Sequence, residues 1–184
     1  MDLLDFSDCN LYFEEPLSPA AEGLLAQAAR DYGKASAETA LLRAYLLVPD
    51  KLTVLVGLYR YYFYQHRLEE ALLVAERAMQ LAGRQLGLPP DWRALDEAWL
   101  GLAAANSFGL LRFYLLALKA ASVVLLRLGR NAASRNRLRK LAALDRRDQF
   151  GAARLLAVID AFETKEETAV EPLKPRSPLT RAPV

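Results

Sequence analysis

The sequence predicts an all-α protein in which antiparallel helix pairs, about four of them, stack as a short array. Two observations favour this fold class. Apolar residues recur at steps of three and four along most of the chain, as at Leu41, Leu42 and Tyr45. Proline is absent from 51–88 and again from 91–170, so long helices are allowed there. The sequence has no alternating run bounded by hairpin turns, which makes a β-sheet improbable.

The composition limits the chemistry. The 184 residues are 53% hydrophobic and 25% charged, enough for one folded core. A single histidine, His66, and a single cysteine, Cys9, cannot build a zinc cluster, an iron–sulfur site or an internal disulfide. Phosphate loops and dinucleotide-binding glycine patterns are missing. We therefore expect a protein that is not an enzyme and holds no metal ion and no cofactor.

Residues 1–18 form an acidic, aromatic N-terminal arm. Five carboxylates precede Pro16 without a lysine or arginine, and leucines and aromatic residues lie between them. We interpret the arm as an extension that packs its apolar residues on the first helices, or alternatively as a peptide-like segment for a basic surface. Aspartates stand where a secretory signal would be basic and apolar, so we expect a cytoplasmic protein.

The predicted helical domain covers 19–162, and glycines such as Gly33 and Gly129 follow apolar runs where a helix end is expected. Its longest uncharged apolar stretch, 98–111, is shorter than the roughly 20 residues that cross a bilayer, so we expect no membrane span. Residues 163–184 contain four prolines and predict an extended C-terminal tail, either disordered in solvent or lying along a partner.

An internal repeat is the most informative feature of the domain. Residues 65–83 place small residues at Ala71, Ala75 and Ala78, and a shift of about 34 residues gives Ala37, Leu41 and Ala44. This spacing, with Leu58 and Tyr62 in the preceding helix, resembles the tetratricopeptide (TPR) repeat. We trace a third unit and a fourth after an insertion at 86–92, through Ala105, Phe108, Ala117 and Ala121, then Leu144, Phe150, Ala153 and Ala157. The alternative is a nonrepetitive helical bundle with coincident alanines.

The TPR resemblance implies that the first helix of each pair lines a concave binding face. The segment 59–67 is its densest aromatic stretch, and aromatic and arginine side chains are enriched in binding hot spots. For Phe63 and Tyr64 a position in the core is the equal alternative, because consecutive aromatics on a helix cannot all face one way. The predicted partner-binding residues are Val56, Arg60, Phe63, Tyr64, Leu102, Asn106, Leu110, Arg135, Leu138 and Arg139.

A basic cluster between Arg127 and Arg147 offers a second surface. It could attract an acidic protein or contact phosphates, or be a solvated helix face that pairs in part with the acidic arm. No aromatic platform is interleaved with it, so nucleic acid is the weaker choice of ligand. Its members are Arg127, Arg130, Arg135, Arg137, Arg139, Lys140, Arg146 and Arg147.

A thiol enzyme that uses Cys9 and His66 is a remote alternative, because it requires the arm to fold over the turn that holds His66. We expect instead a non-catalytic accessory factor or chaperone-like adaptor that binds another protein and stabilises one of its states.

The whole chain resembles the small TPR-like accessory factors of nitrogen-fixing bacteria. The resemblance lies in DFSDCNLYFEEP in the arm, AETALLRAYLLVPDKL in the domain and PLKPRSPLTRAPV in the tail. It implies docking to the nitrogenase molybdenum–iron protein, or to a related cofactor-assembly intermediate, during maturation, storage or stress. The metal clusters would belong to that partner.

Overall fold

The computed structural model describes the backbone of residues 16–169 and the side chains of residues 16–162. This part of the chain contains eight α-helices, a single 3₁₀ turn at Trp92–Ala94 and no strand, which confirms the all-α fold class. The helices are α1 (Pro19–Arg30), α2 (Ala35–Leu47), α3 (Leu52–Tyr64), α4 (Leu68–Gln85), α5 (Glu97–Asn106), α6 (Phe108–Arg127), α7 (Asn131–Leu144) and α8 (Ala152–Ala169).

Side-chain caps fix the start of three helices. The Ser18 hydroxyl accepts a hydrogen bond from the backbone N–H of Ala21 at 3.3 Å, and Pro19 fills the first helical position of α1. The Asp96 carboxylate accepts from the N–H of Trp99 at 2.9 Å and begins α5. Ser107 ends α5 and caps α6, so a single residue separates these two helices.

Sequential helices pack against one another through most of the chain. Helix α1 packs on α2, α3 packs on both α2 and α4, and α7 lies between α6 and α8. The chain departs from this order once, because α4 packs extensively on α6 and α5 packs mainly on α6. Helix α5 therefore lies to one side of an otherwise continuous row of helices.

The turn between α3 and α4 occurs again between α6 and α7. His66 (φ 59°) and Gly129 (φ 73°) take the same left-handed position, 63 residues apart. In the first turn the backbone N–H of Arg67 donates to the Tyr62 carbonyl at 2.9 Å, and in the second Arg130 donates to Leu125 at 2.9 Å. Both bonds close a Schellman-type helix end. Helices α6 and α7 therefore repeat the arrangement of α3 and α4.

The correspondence between α3–α4 and α6–α7 corrects the third and fourth repeat units traced from the sequence. The small residue that begins the second helix of each pair is Ala37, then Ala71, then Ser134, and each is 0% exposed. The Ser134 hydroxyl donates to the Ser122 carbonyl at 2.8 Å, so a polar residue can occupy that position in the core. By contrast Phe108, taken as a packing residue of the third unit, is 69% exposed. Two residues of the traced fourth unit, Ala153 and Ala157, are also exposed.

Helix α6 is the centre of the core. It is long and apolar enough, by length and composition alone, to cross a membrane, and most of its residues are buried inside the protein. Contact with α4 and α7 accounts for this composition. The uncharged apolar stretch 98–111 noted in the sequence covers only the start of this helix, because Arg112 and Lys119 interrupt its apolar run.

The last helix is longer than predicted. Helix α8 runs to Ala169, so residues 163–169, assigned to an extended tail, are helical. Glutamate, lysine and alanine favour helix in this stretch, and the first proline of the tail comes later, at Pro172. The remainder of the predicted tail and residues 1–15 of the arm lie outside the described residues.

Leu138 and Arg139 provide a matched test of the fold. Leu138 is completely buried, whereas its neighbour Arg139 is exposed. We expect Leu138→Ala to lower the free energy of unfolding by about 2–5 kcal/mol, because it leaves a cavity. Arg139→Ala should change it by at most about 0.5 kcal/mol. Urea unfolding followed by circular dichroism measures both, and equal effects would contradict the position of α7 described here.

Candidate partner-binding surface

Val56 and Arg60 line a groove between α1 and α3, which we call the α1–α3 groove. Its volume is about 470 Å³. Aliphatic and aromatic side chains form most of its wall, and Arg60 is the cation among them. The lining residues are Leu25, Ala28, Ala29, Tyr32, Leu41, Thr53, Val56, Gly57, Arg60 and Tyr61.

Gly57 lets Leu41 approach the backbone of α3 closely in the groove wall. A Cβ atom built on this glycine would lie 3.1 Å from Leu41 Cδ2 and 3.7 Å from Leu25 Cδ2. The first distance is tighter than an ordinary van der Waals contact, so a side chain at residue 57 would have to displace Leu41. The bare backbone of α3 therefore forms part of the groove wall.

Phe63 and Tyr64 lie near the end of α3, where they form an aromatic–arginine cluster with His66 and Arg127. The Arg127 guanidinium lies 4.7 Å from the centre of the Phe63 ring and its Nη2 donates to His66 Nδ1 at 2.9 Å. The Tyr64 ring meets Phe63 edge-on at 5.7 Å and is 39% exposed. Arg127 is thus held by a ring face and an imidazole, which orients its charge at the surface.

Two tyrosines of α3 differ in how their hydroxyls are satisfied. Tyr59 is 5% exposed, stacks on Phe63 at 5.7 Å, and its hydroxyl finds no hydrogen-bond partner among the described residues. Burial raises the pKa of Tyr59 above its ordinary value. The Tyr62 hydroxyl instead donates to Glu38 at 3.1 Å, and burial together with that hydrogen bond raises the pKa of Tyr62 to about 12. Both rings are core elements.

Arg67 joins α2 to α4 through two carboxylates. Its guanidinium donates to Glu38 at 2.6 Å and to Glu70 at 2.7 Å, and lies 4.6 Å from the centre of the Tyr62 ring. Hydrogen bonds to these carboxylates raise the pKa of Arg67, and the bond from Arg67 lowers the pKa of Glu70. This network connects the first helix pair to the second.

Leu102 and Asn106 lie on α5, which is apolar on nearly every side. Ala103 is the buried residue of this helix, whereas Leu102 is 63% exposed and Trp99 is 37% exposed. Phe108 follows directly at the start of α6. Because a helix that is apolar all round is normally buried, this surface is unusual. We call the exposed residues the α5 ridge: Ala98, Trp99, Leu102, Ala105 and Phe108.

The α5 ridge was only partly predicted. The predicted partner-binding residues include Leu102 and Asn106 but not Trp99 and Phe108, whose large side chains are also exposed. A signal was present, because 98–105 contains no polar side chain and yet is too short to form a core helix of ordinary length.

Two predicted surface residues are buried, which corrects their assignment. Leu110 is 8% exposed and Leu138 is 0% exposed, and both belong to the core cluster around α6. Both residues were assigned to the surface by extending the repeat spacing past the insertion that precedes α5. That insertion shifts the position of the following helices in the repeat. Neither side chain can contact a partner in this conformation.

The basic cluster is divided among ion pairs with other helices. Arg130 pairs with Glu69 of α4 at 2.6 Å, and Arg135 pairs with Asp160 of α8 at 2.9 Å. Two further arginines of the basic cluster form ion pairs, Arg137 with Glu76 and Arg146 with Glu97 at 2.5 Å. Arg127 lies in the aromatic–arginine cluster. Arg139 and Arg147 are exposed and Lys140 is half-buried. The cluster is therefore not one continuous phosphate-binding face.

The described residues show no thiol–imidazole site. His66 is exposed and bound to Arg127, whereas Cys9 lies outside the described part of the chain. Within that part no three histidine, cysteine or acidic side chains gather closely enough to hold a metal ion.

The chain is 47% identical over 159 residues to an "Uncharacterized 19.8 kDa protein in nifW 5'region" of Azotobacter chroococcum mcd 1. The match covers 86% of this chain and 89% of that protein. The chain belongs to that protein's family. No family model and no solved structure matches the chain.

Family membership supports the coarser part of the resemblance seen in the sequence. The Azotobacter protein is named for its position in the 5' region of nifW, a nitrogen-fixation gene region. High identity over most of both chains implies that the two proteins share one fold. That name specifies no activity and no partner.

Tyr59 and Tyr62 allow a paired test of the α3 geometry. Tyr59→Phe removes an unpartnered buried hydroxyl and should raise the free energy of unfolding by ~1 kcal/mol. Tyr62→Phe removes the donor to Glu38 and should lower it by about 0.5–1.5 kcal/mol. Thermal unfolding of both variants gives the two signs, and the same sign for both would contradict these hydrogen-bond assignments.

Glu70 should make stability depend on pH. The pKa of Glu70 is lower in the folded protein than in the unfolded chain. The stability that Glu70 contributes is therefore fully present at pH values above its unfolded-state pKa. That stability is lost as the pH falls through its folded-state pKa. Glu70→Gln should therefore flatten the dependence of Tm on pH below about pH 4.5. Calorimetry between pH 7 and pH 3 tests this, and parallel curves for the two proteins would refute it.

Proposed function

We propose that this protein is a non-catalytic accessory factor of nitrogen fixation that binds another protein through the α5 ridge. The observation that carries the proposal is the exposure of the ridge, in which Leu102 is 63% and Phe108 is 69% exposed. Large apolar side chains grouped on adjoining helices are typical of an interface that a partner covers.

The nitrogen-fixation role rests on the relative. A protein 47% identical to this chain is encoded in the 5' region of nifW. The partner that fits this setting is the nitrogenase molybdenum–iron protein or a cofactor-assembly intermediate, and the protein acts on it in the cytoplasm. Binding stabilises one state of that partner in a chaperone-like manner, because a ligand shifts an equilibrium toward the state that it binds more tightly.

Burial of the ridge would supply the binding energy. Leucine and phenylalanine side chains contribute about 1.5–3 kcal/mol each when they move from water into an apolar contact. Trp99 adds a large aromatic surface that is already partly ordered by the protein. The ridge is uncharged, so this docking should depend only weakly on salt.

Substitutions on the ridge test the proposal. Leu102→Glu and Phe108→Glu should each weaken binding to purified molybdenum–iron protein at least about tenfold, because each places a charge in an apolar interface. Leu46→Glu on α2 is the matched control, since Leu46 is 79% exposed but lies away from the ridge. Biolayer interferometry measures affinity, and circular dichroism checks that each variant folds.

The same experiment separates the surface from the partner. If the wild-type protein binds neither the molybdenum–iron protein nor a cofactor-assembly scaffold, the proposed partners are wrong. If it binds one of them and the ridge variants bind equally well, the proposed surface is wrong. Loss of binding in Leu46→Glu as well would also contradict the ridge assignment.

A further inference from the structure

The α1–α3 groove is open among the residues that the structure describes, and its chemistry differs from that of the ridge. Its wall is apolar and includes the cation Arg60, with Tyr32 at 53% exposure among its lining residues. We propose that this groove binds residues 1–15 of the same chain, the acidic, aromatic arm. The arm would then be a built-in occupant that any partner peptide must displace.

The shape of the groove suits an apolar segment. A volume of about 470 Å³ lies within the range of roughly 300–1,000 Å³ that ligand sites occupy. Because Gly57 has no side chain, Leu41 packs directly against the backbone of α3 in the groove wall. Tyr61 lines the groove and contacts the ring of Tyr32 edge-on, with 6.4 Å between ring centres. Aromatic side chains of an occupant can extend this edge-to-face arrangement.

The composition of the arm matches the groove. Its first 15 residues include Asp2, Asp5, Asp8, Glu14 and Glu15 but no lysine or arginine. Six large apolar residues alternate with these acids: Leu3, Leu4, Phe6, Leu11, Tyr12 and Phe13. Apolar side chains can fill the groove while a carboxylate pairs with Arg60, since arginine binds carboxylates in a two-pronged hydrogen-bonded geometry.

The arm begins close enough to reach the groove. Leu17, two residues after the proposed groove-binding segment 1–15, is partly buried against the core of the first helices. Leu25 is the first groove residue of α1, and seven residues of helix beyond Ser18 span only about 10 Å. An extended chain of 15 residues can span about 50 Å, so the arm can reverse direction and run along α1.

Attachment to the same chain favours this occupant over a free peptide. A short covalent connection gives an effective concentration of about millimolar, so even a weakly binding segment occupies its site most of the time. The arm of a second copy or an acidic segment of another protein has compatible chemistry but lacks this advantage. These two occupants are outcomes that the experiment separates.

The arm carries its own probe site, because Cys9 is the sole cysteine of the sequence. A nitroxide attached to Cys9 of the full chain should weaken the backbone NMR signals of nearby residues. We expect loss of signal at Leu25, Ala29, Val56 and Arg60, which line the groove. Signals near the exposed residue Val158 on α8 should be unaffected.

Variants of Arg60 test the charge component. Arg60→Glu should abolish the selective signal loss in the groove, whereas Arg60→Lys should retain it. Arg43→Glu is the matched control, because Arg43 is exposed on α2 and does not line the groove. Circular dichroism confirms the helical content of each variant, and the unsubstituted chain alone already tests whether the arm occupies the groove.

Three results would overturn the proposal. Uniform or absent signal loss would show that the arm does not occupy a site. Loss centred on Arg139 and Arg147 would place the arm on the basic surface instead. Loss at the groove that appears in an equimolar mixture of isotope-labelled chain and spin-labelled chain would show that a second copy supplies the arm. The experiment uses the protein alone, so its outcome does not depend on the function proposed above.

Discussion

Burial of α6 is the constraint on which the rest of the structure depends. Leu118, Ala121 and Val124 are 0% exposed, and α6 packs directly on both α4 and α7. Because α6 takes the position next to α4, the chain between α4 and α6 has no place in the row of helices. Helix α5 is therefore held at the side of the protein, with Ala103 buried, Leu100 and Ala104 partly buried, and Trp99 and Leu102 exposed to solvent. The exposed α5 ridge is thus a consequence of how the core closes.

The sequence predicted the first half of the fold better than the second. Ala37 and Ala71 are separated by an unbroken 34-residue period, so the packing positions of α1–α4 followed from spacing alone. The insertion before α6 lengthens the next interval to 63 residues, and the matching residue is Ser134, which a search for alanine passes over. The misassignment of Leu110 and Leu138 has the same origin. Hydrophobic periodicity predicts where helices occur in the sequence. It cannot predict where a helix packs when an insertion of unknown conformation precedes it.

The charged residues show a related limit. Arginines that are dense in sequence between 127 and 147 find their carboxylates on distant helices, as Arg130 does with Glu69 and Arg135 with Asp160. The pairing of Arg127 with Phe63 and His66 joins residues more than 60 positions apart. Local charge density therefore indicated a surface that tertiary packing partly neutralises. Val56 and Arg60 line one groove because both lie on α3, where spacing along one helix determines which side chains share a face.

The stability of α5 connects the fold to the proposed function. An isolated helix of 10 residues is marginal in water, because the cost of nucleation is spread over few hydrogen bonds. Helix α5 is held by the Asp96 cap, by the ion pair between Glu97 and Arg146, and by its contact with α6, in which Ala103 is the buried residue. A protein that covers Leu102 and Phe108 would add contacts to the helix that has the weakest support from the core. Segments held by few buried contacts open most readily, so binding at this helix would also suppress local unfolding. Recognition and stabilisation of α5 would then be the same event.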